Sequence, residues 1–136
     1  MRFATIEAFA VTGREARTTN AQEMSGQGVI SRMWGECVRG SEPIIAVYSE
    51  YESDKNGPYN FLLGAKAEDG VGERQVESGV YIVFQGEGDN AAEMVSRMWQ
   101  HVWHLEQAGA MRRAYKTDFE LYSGKQVELY VGLKAF

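Results

Sequence analysis

Ser31-Arg32-Met33-Trp34 recurs later in the chain as Ser96-Arg97-Met98-Trp99. Two other pairs of segments match in the same order along the chain: NAQEM at 20–24 with NAAEM at 90–94, and GAKA at 64–67 with GLKA at 132–135. A single short match carries little weight, but three matches in one order indicate an internal repeat. We therefore predict that the chain is a duplicated unit.

Each half of the chain shows the pattern of a strand, a helix and a two-stranded hairpin. The predicted elements are strand 3–12, helix 21–38 and strands 44–51 and 59–67, then strand 80–85, helix 91–107 and strands 115–122 and 127–134. Asn20 and Asn90 are predicted to cap the two helices. The simplest assembly is an α+β fold, a duplicated βαββ with one antiparallel sheet and both helices on one face. We expect one domain over 1–136, with pseudo-repeats at about 1–68 and 74–136.

The second hairpin alternates along each strand, so it has two distinct faces. We expect the helices to cover the face that holds Phe119, Leu121 and the apolar residues at 127, 129, 131 and 133. The other face collects carboxylates and tyrosines: Asp118, Glu120, Tyr122, Glu128 and Tyr130, joined in the first half by Tyr48, Glu50 and Glu52. A groove on that face would suit a lipophilic cation, through Coulomb attraction and cation–π contact. The alternative is an ordinary solvated sheet face.

Composition narrows the range of functions. The chain has 136 residues, is 44% hydrophobic and carries a formal net charge of −5. This charge argues against direct nucleic-acid binding, which requires basic surface. A single cysteine, Cys37, allows no intramolecular disulfide, and no apolar run is long enough to span a membrane, so we expect a cytoplasmic protein. His101 and His104 have no evident third ligand, so we expect neither a metal nor a cofactor.

The C-terminal hairpin resembles a known family. Asp118-Phe119-Glu120-Leu121-Tyr122, followed by VELYVG at 127–132, is similar to the end of the GyrI-like effector-binding family. That family includes the ligand domains of AraC-type and multidrug-responsive transcription regulators. Further stretches resemble it in the same order along nearly the whole chain: Trp34, residues 48–54, GVYIVF at 79–84 and residues 99–103. The resemblance implies the duplicated βαββ fold with a ligand groove between the two halves.

The same resemblance implies ligand-binding residues. The family's contacts are commonly an acidic residue on this strand together with aromatic rings, which makes Glu120 the first candidate. Glu52 is its counterpart in the other half by the internal repeat. The candidate rings are Tyr48, Trp103, Tyr122 and Tyr130. Ser49 and Cys37 stand where the family often has Gly and Phe, so the identity of the ligand does not transfer.

Three functions agree with these observations. We expect a stand-alone effector-binding domain that senses or sequesters a cationic, aromatic drug or metabolite, with a protein partner possible. One alternative is a GyrI-like hydrolase that uses Glu120 as a general base. The other is an inhibitor that acts through protein contact, as in the family members that inhibit DNA gyrase. Turnover distinguishes the hydrolase from the binding domain, and a pull-down distinguishes the protein inhibitor from both.

Overall fold

The computed structural model describes residues 1–37 and 43–134. Over these residues the chain forms eight strands and three helices, which confirms the predicted α+β class. In chain order they are β1 Arg2–Ile6, β2 Phe9–Thr18, α1 Asn20–Met24, α2 Ile30–Glu36, β3 Ile44–Ser49, β4 Tyr59–Lys66, β5 Arg74–Val76, β6 Gly79–Glu87, α3 Ala91–Gln107, β7 Arg113–Ser123 and β8 Gln126–Leu133. None of these helices has the length and apolar character that a membrane crossing requires.

The strands form one antiparallel sheet in the order β1-β6-β8-β7-β3-β4-β2-β5. At its centre β3 pairs with β7, so the sheet continues across the boundary between the two halves of the chain. From β7 the order runs to β8 and β6, and from β3 it runs to β4 and β2. This arrangement agrees with two βαββ units that meet at β3 and β7. An origin by duplication stays a prediction.

The first half differs from the prediction in its element boundaries. The chain leaves the sheet at Glu7 and Ala8, so the predicted strand 3–12 is two strands, of which β1 pairs with β6 and β2 pairs with β4. The predicted helix 21–38 is divided into α1 and α2, because Gly26 adopts a φ of 83° between them. Position 38 lies outside the described residues. The connection between the halves also contains β5, which the sequence pattern did not indicate and which extends the sheet beside β2.

The helix caps follow the prediction in the second half only. Asn90 caps α3, where its side chain accepts a hydrogen bond from the Glu93 backbone N–H at 3.1 Å. The first cap is Thr19, whose hydroxyl accepts a hydrogen bond from a backbone N–H in the first turn of α1. Asn20 is instead the first residue of α1, and its side chain accepts a hydrogen bond from the Tyr59 hydroxyl. Either residue type can cap a helix, and the tertiary contact with Tyr59 decides between them.

Both faces of the sheet bury apolar side chains. The helices cover the face that holds Phe61 and Leu129, while the opposite face holds Val47 and Phe119. The prediction placed Phe119 and Leu121 under the helices, and this is wrong for β7. Phe119 stacks on Tyr130 at a centroid distance of 4.4 Å, on the face away from the helices.

The pairing register between β7 and β8 explains this correction. Residues that lie directly opposite in an antiparallel pair point to the same face. Glu120 lies opposite Leu129 and Tyr122 lies opposite Val127, so both polar residues share the helix-covered face with the apolar residues of β8. Glu120 and Tyr122 are therefore enclosed between the sheet and the helices and do not line an open sheet face.

Candidate ligand-binding site

A cavity of about 430 Å³ lies between the helices and the centre of the sheet. Residues of β3, β4 and β7 form its floor, and residues of α1, α2 and α3 form its walls. It therefore lies where the two halves of the chain meet, as the predicted groove between the halves requires. Its lining is largely aromatic, and the ionisable side chains among the lining residues are Glu23, Lys55, Arg113 and Glu120 together with the tyrosines.

Glu120 lies on the floor of this cavity and is only 1% exposed. Its Oε2 accepts hydrogen bonds from the Tyr48 hydroxyl and from the Trp99 Nε1–H, both at 2.7 Å. Its Oε1 accepts a hydrogen bond from the Tyr122 hydroxyl at 2.6 Å. Three donors from a neighbouring strand, a helix and its own strand thus fix the orientation of this carboxylate.

The three donors to Glu120 are all neutral. Burial raises the pKa of the Glu120 carboxyl above its ordinary value, and the hydrogen bonds from Tyr122, Trp99 and Tyr48 oppose this effect. Within residues 1–37 and 43–134, Glu120 forms no ion pair. A buried carboxylate without a positive partner is costly in its ionised form.

Aromatic rings surround the carboxylate. The Tyr48 ring packs 5.1 Å from the Trp99 ring and 5.6 Å from the Tyr59 ring, measured between centroids. Trp103 follows Trp99 by one helical turn on α3, which places the two indoles on the same side of the helix at 6.3 Å. The faces of aromatic rings carry negative electrostatic potential, so this wall attracts cations as well as apolar groups.

A second charged group lies beside the cavity but is neutralised within the protein. Arg113 is buried and donates to Asp118 Oδ2 at 2.8 Å, and its Nη1 lies 3.8 Å from Glu106 Oε1. Its guanidinium also stacks 4.3 Å from the Tyr115 ring. Burial lowers the pKa of Arg113, but Asp118, Tyr51 and Tyr115 together raise it by more, so this residue stays charged.

The end of α1 and the start of α2 line one side of the cavity, with Glu23, Met24 and Ile30 among the lining residues. Glu23 reaches back from α1, and its carboxylate accepts hydrogen bonds from the Val29 and Ile30 backbone N–H groups at 2.9 and 3.1 Å. These N–H groups belong to the first turn of α2, which lacks a side-chain cap at Val29 itself. Glu23 thus supplies the missing cap and fixes α2, which carries the cavity residue Trp34.

The structure brings four of the six predicted site residues to the cavity: Tyr48, Trp103, Glu120 and Tyr122. Glu52 is exposed in the turn after β3 and lines no part of the cavity. Tyr130 is buried on the opposite face of the sheet, against Phe119. The internal repeat identified Glu52 by position, but only strand register determines which face a residue occupies.

Among the cavity residues that were not predicted as site residues are Tyr51, Tyr59, Trp99 and Arg113. The repeat of Trp34 at Trp99 was a usable signal, since both indoles line the cavity, although such a pair is also typical of core packing. Arg113 gave no signal, because it precedes the predicted strand and reaches the cavity through an irregular register between Arg113 and Asp118.

The described residues contain no group of three or more His, Cys, Asp or Glu side chains with the geometry of a metal site. His101 packs its ring 5.4 Å from the Phe84 ring, and Cys37 is half-buried at the end of α2. Neither residue lines the cavity.

Comparison with known proteins gives matches along nearly the whole chain. Residues 2–133 match the Cass2 family, described as integron-associated effector binding protein. An integron cassette protein from the mobile metagenome of Vibrio cholerae is 29% identical, with a TM-score of 0.82 over 98% of this chain and 95% of that chain. YobU of Bacillus subtilis strain 168, whose provisional name is that of a transcriptional regulator, is 28% identical over 146 residues and 90% of each chain.

A more distant solved structure shares the fold. The structure of SAV2435 bound to tetraphenylphosphonium is 16% identical, with a TM-score of 0.71 over 98% of this chain and 93% of that chain. The effector-binding resemblance that the sequence motifs indicated is confirmed by these matches, and they support small-molecule binding. The chain belongs to the Cass2 family of integron-associated effector binding proteins.

Proposed function

We propose that this protein binds a lipophilic, aromatic organic cation in the cavity, with Glu120 as its counter-charge. One observation carries the proposal: Glu120 is 1% exposed, is held by three neutral donors and forms no ion pair within the described parts of the chain. A ligand cation would supply the positive charge that this carboxylate lacks. Tetraphenylphosphonium, the ligand of the structurally similar SAV2435, belongs to the proposed class.

The shape of the cavity supports a ligand of this class. A volume of about 430 Å³ accommodates a molecule with several aromatic rings. Tyr48, Trp99 and Trp103 present rings on the same side as Glu120, so charge neutralisation and cation–π contact act on one ligand group together.

The family match favours binding over hydrolysis, because residues 2–133 match a family described as effector binding protein. The three hydrogen bonds of Glu120 fill about three of the four acceptor positions of the carboxylate and leave one on Oε1 for a ligand. These bonds favour the ionised form, while burial raises the pKa of Glu120 by more. We therefore propose sensing or sequestration, in which the ligand is returned unchanged.

Isothermal titration calorimetry with tetraphenylphosphonium tests the role of Glu120. We expect Glu120→Gln to weaken binding at least about tenfold, which corresponds to about 1.4 kcal/mol. Glu68→Gln is the matched control, because it removes the same charge from an exposed turn residue outside the cavity. It is expected to change the affinity less than about twofold, since a distant exposed charge is screened by salt.

Three results would contradict the proposal. An unchanged affinity of Glu120→Gln would show that this carboxylate does not neutralise the ligand. Equal binding of phenyltrimethylammonium and its uncharged isostere tert-butylbenzene would show that the cavity selects for shape alone. Recovery of chemically altered ligand after incubation would favour the hydrolase instead.

A further inference from the structure

Three buried polar atoms near one end of the cavity have no hydrogen-bond partner among the residues that the structure describes. They are Trp103 Nε1, Arg113 Nε and Glu106 Oε1. Trp103 and Arg113 both line the cavity, and Glu106 follows Trp103 by three residues on the same side of α3. Two of the three atoms are donors. Unpaired buried donors are rare in folded proteins because each one costs free energy.

This end of the cavity lies close to Glu120 but is separate from it. The Trp99 indole stands between the two: its Nε1–H bonds to Glu120, and its ring lies 5.3 Å from the Arg113 guanidinium carbon. The Trp103 ring lies 6.3 Å from the Trp99 ring. If the positive group of a ligand lies beside Glu120, an aromatic ring attached to that group therefore extends as far as Trp103 and Arg113.

Charges at this end favour a neutral partner for the two donors. Arg113 is paired at 2.8 Å with Asp118 and lies 3.8 Å from Glu106, so two carboxylates face one guanidinium. Their combined formal charge is negative, and a ligand carboxylate there would be repelled. A neutral oxygen, as in a ketone, amide, ether or hydroxyl group, can accept from an N–H without that repulsion.

We propose that the preferred ligand carries, besides its cationic group, a neutral hydrogen-bond acceptor that binds the Trp103 Nε1–H and the Arg113 Nε–H. This inference rests on the proposed function, since it assigns a second contact to the same ligand. The ligand class is then an aromatic organic cation with a neutral oxygen acceptor on the side remote from its charge.

Three matched derivatives of tetraphenylphosphonium test the inference by calorimetry. One ring carries a para substituent that is acetyl, isopropenyl or carboxylate; the isopropenyl group has the shape of acetyl but no acceptor. On the wild-type protein we expect the acetyl derivative to bind about fivefold tighter than the isopropenyl derivative, as one buried hydrogen bond provides about 1 kcal/mol. The carboxylate derivative is expected to bind more weakly than the acetyl derivative.

Trp103→Phe removes the N–H and keeps an aromatic ring at this position. We expect it to weaken the binding of both derivatives through the smaller ring and, beyond that, to reduce the fivefold ratio between them toward one, because only the acetyl derivative loses a hydrogen bond. Arg113→Lys is the second variant, because it keeps a positive charge beside Asp118 and removes the Nε donor. It tests the same preference if Trp103→Phe does not fold.

The outcomes separate this inference from the proposed function. Equal wild-type affinities for the acetyl and isopropenyl derivatives would overturn the acceptor contact and leave cation binding in place. A preference for acetyl that persists in both variants would overturn the assignment to Trp103 and Arg113. Tightest binding by the carboxylate derivative would overturn the neutral acceptor, and no binding by any of the three cations would overturn the inference together with the proposed function.

Discussion

At the scale of single residues, Glu120 and Asp118 show how two buried carboxylates on one strand acquire different roles. They are two residues apart on β7 and both are essentially unexposed. Asp118 binds Arg113 at 2.8 Å and also accepts hydrogen bonds from the Tyr51 hydroxyl and the Gly132 backbone N–H. Glu120 has only neutral donors. The charge of Asp118 is therefore balanced inside the protein, whereas Glu120 has no positive partner among the residues that the structure describes.

The first prediction concerns the ligand-free stability of Glu120→Gln. Burial raises the pKa of Glu120 in the folded state, so the folded protein binds this proton more tightly than the unfolded chain. The stabilising contribution of Glu120 is then fully present below the unfolded-state pKa and is lost as pH rises through the folded-state pKa. We expect the wild type to lose stability relative to Glu120→Gln as pH rises from about 4, the ordinary range of a Glu carboxyl in an unfolded chain, through the raised folded-state pKa.

Urea unfolding of both proteins across this pH range measures the effect. The substitution is conservative, because the Gln oxygen can accept from Trp99 and Tyr48 while its amide donates to the Tyr122 hydroxyl. A difference in unfolding free energy that does not change with pH would contradict the assignment of a raised pKa to Glu120.

The second prediction concerns Asp118→Asn. Removing Asp118 leaves the buried, charged Arg113 with only the longer contact to Glu106 at 3.8 Å, so we expect a loss at the lower end of the range of about 3–5 kcal/mol that is typical of a broken buried pair. Glu93→Gln is the control, since it breaks an exposed ion pair with Arg97 on α3, worth less than about 0.5 kcal/mol. Thermal and urea unfolding measure both, and equal losses in the two variants would show that the Arg113 pair is not the stabilising contact.

At the scale of elements, α1 and α2 depend on a contact that neither helix contains. Both are short, and short isolated helices are unstable in water. Glu23 of α1 caps α2, and Gly28 allows this contact: a Cβ at Gly28 would lie 2.2 Å from the Glu23 carboxylate. The position of α2, which carries the cavity residue Trp34, therefore depends on the Glu23 carboxylate and on Gly28.

The third prediction compares two Gly→Ala substitutions in this region. Gly28→Ala is expected to displace Glu23 from the α2 N-terminus and to lower stability by about 1–2 kcal/mol, the usual cost of a lost cap. Gly35→Ala is the matched control, because Gly35 lies within α2 and a Cβ there meets nothing within 4 Å. It is expected to raise stability by about 0.5–1 kcal/mol. Chemical denaturation measures both, and a stable Gly28→Ala would refute the cap.

At the scale of the whole molecule, the cavity joins the two halves of the chain. Its floor is the β3–β7 pair, which contributes one strand from each half, and its walls are α1 and α2 from the first half and α3 from the second. A ligand bound there contacts both halves at once. Binding is therefore linked to the unfolding of the complete sheet, and it stabilises the folded protein by mass action.

The fourth prediction follows from this linkage. Tetraphenylphosphonium at about 100 times its dissociation constant is expected to raise the free energy of unfolding by about 2.7 kcal/mol. Because a cation favours ionised Glu120, the gain is expected to shrink as pH falls through the raised pKa of that residue. Differential scanning calorimetry with and without ligand measures this. A gain that grows toward acid pH would contradict a role for the Glu120 carboxylate.

Local patterns in the sequence were sufficient for the elements of the second half and for part of the site. Alternation along residues 115–134 and the helical spacing of 91–107 predicted the second half to within about two residues. The ordered motifs led to the effector-binding family and to Glu120, Tyr48, Trp103 and Tyr122, which all line the cavity. These features depend on neighbours in the chain or on short motifs, so they are visible without the fold.

Tertiary structure alone decided which side chains meet. The register between β7 and β8 places Glu120 on the helix-covered face and Tyr130 on the other, and a shift of one residue between the two strands would bring them to the same face. Arg113 enters the cavity through an irregularity in that same register. Register is determined by packing across strands that are distant in sequence, so alternation reveals that a strand has two faces but does not reveal which of them the helices cover.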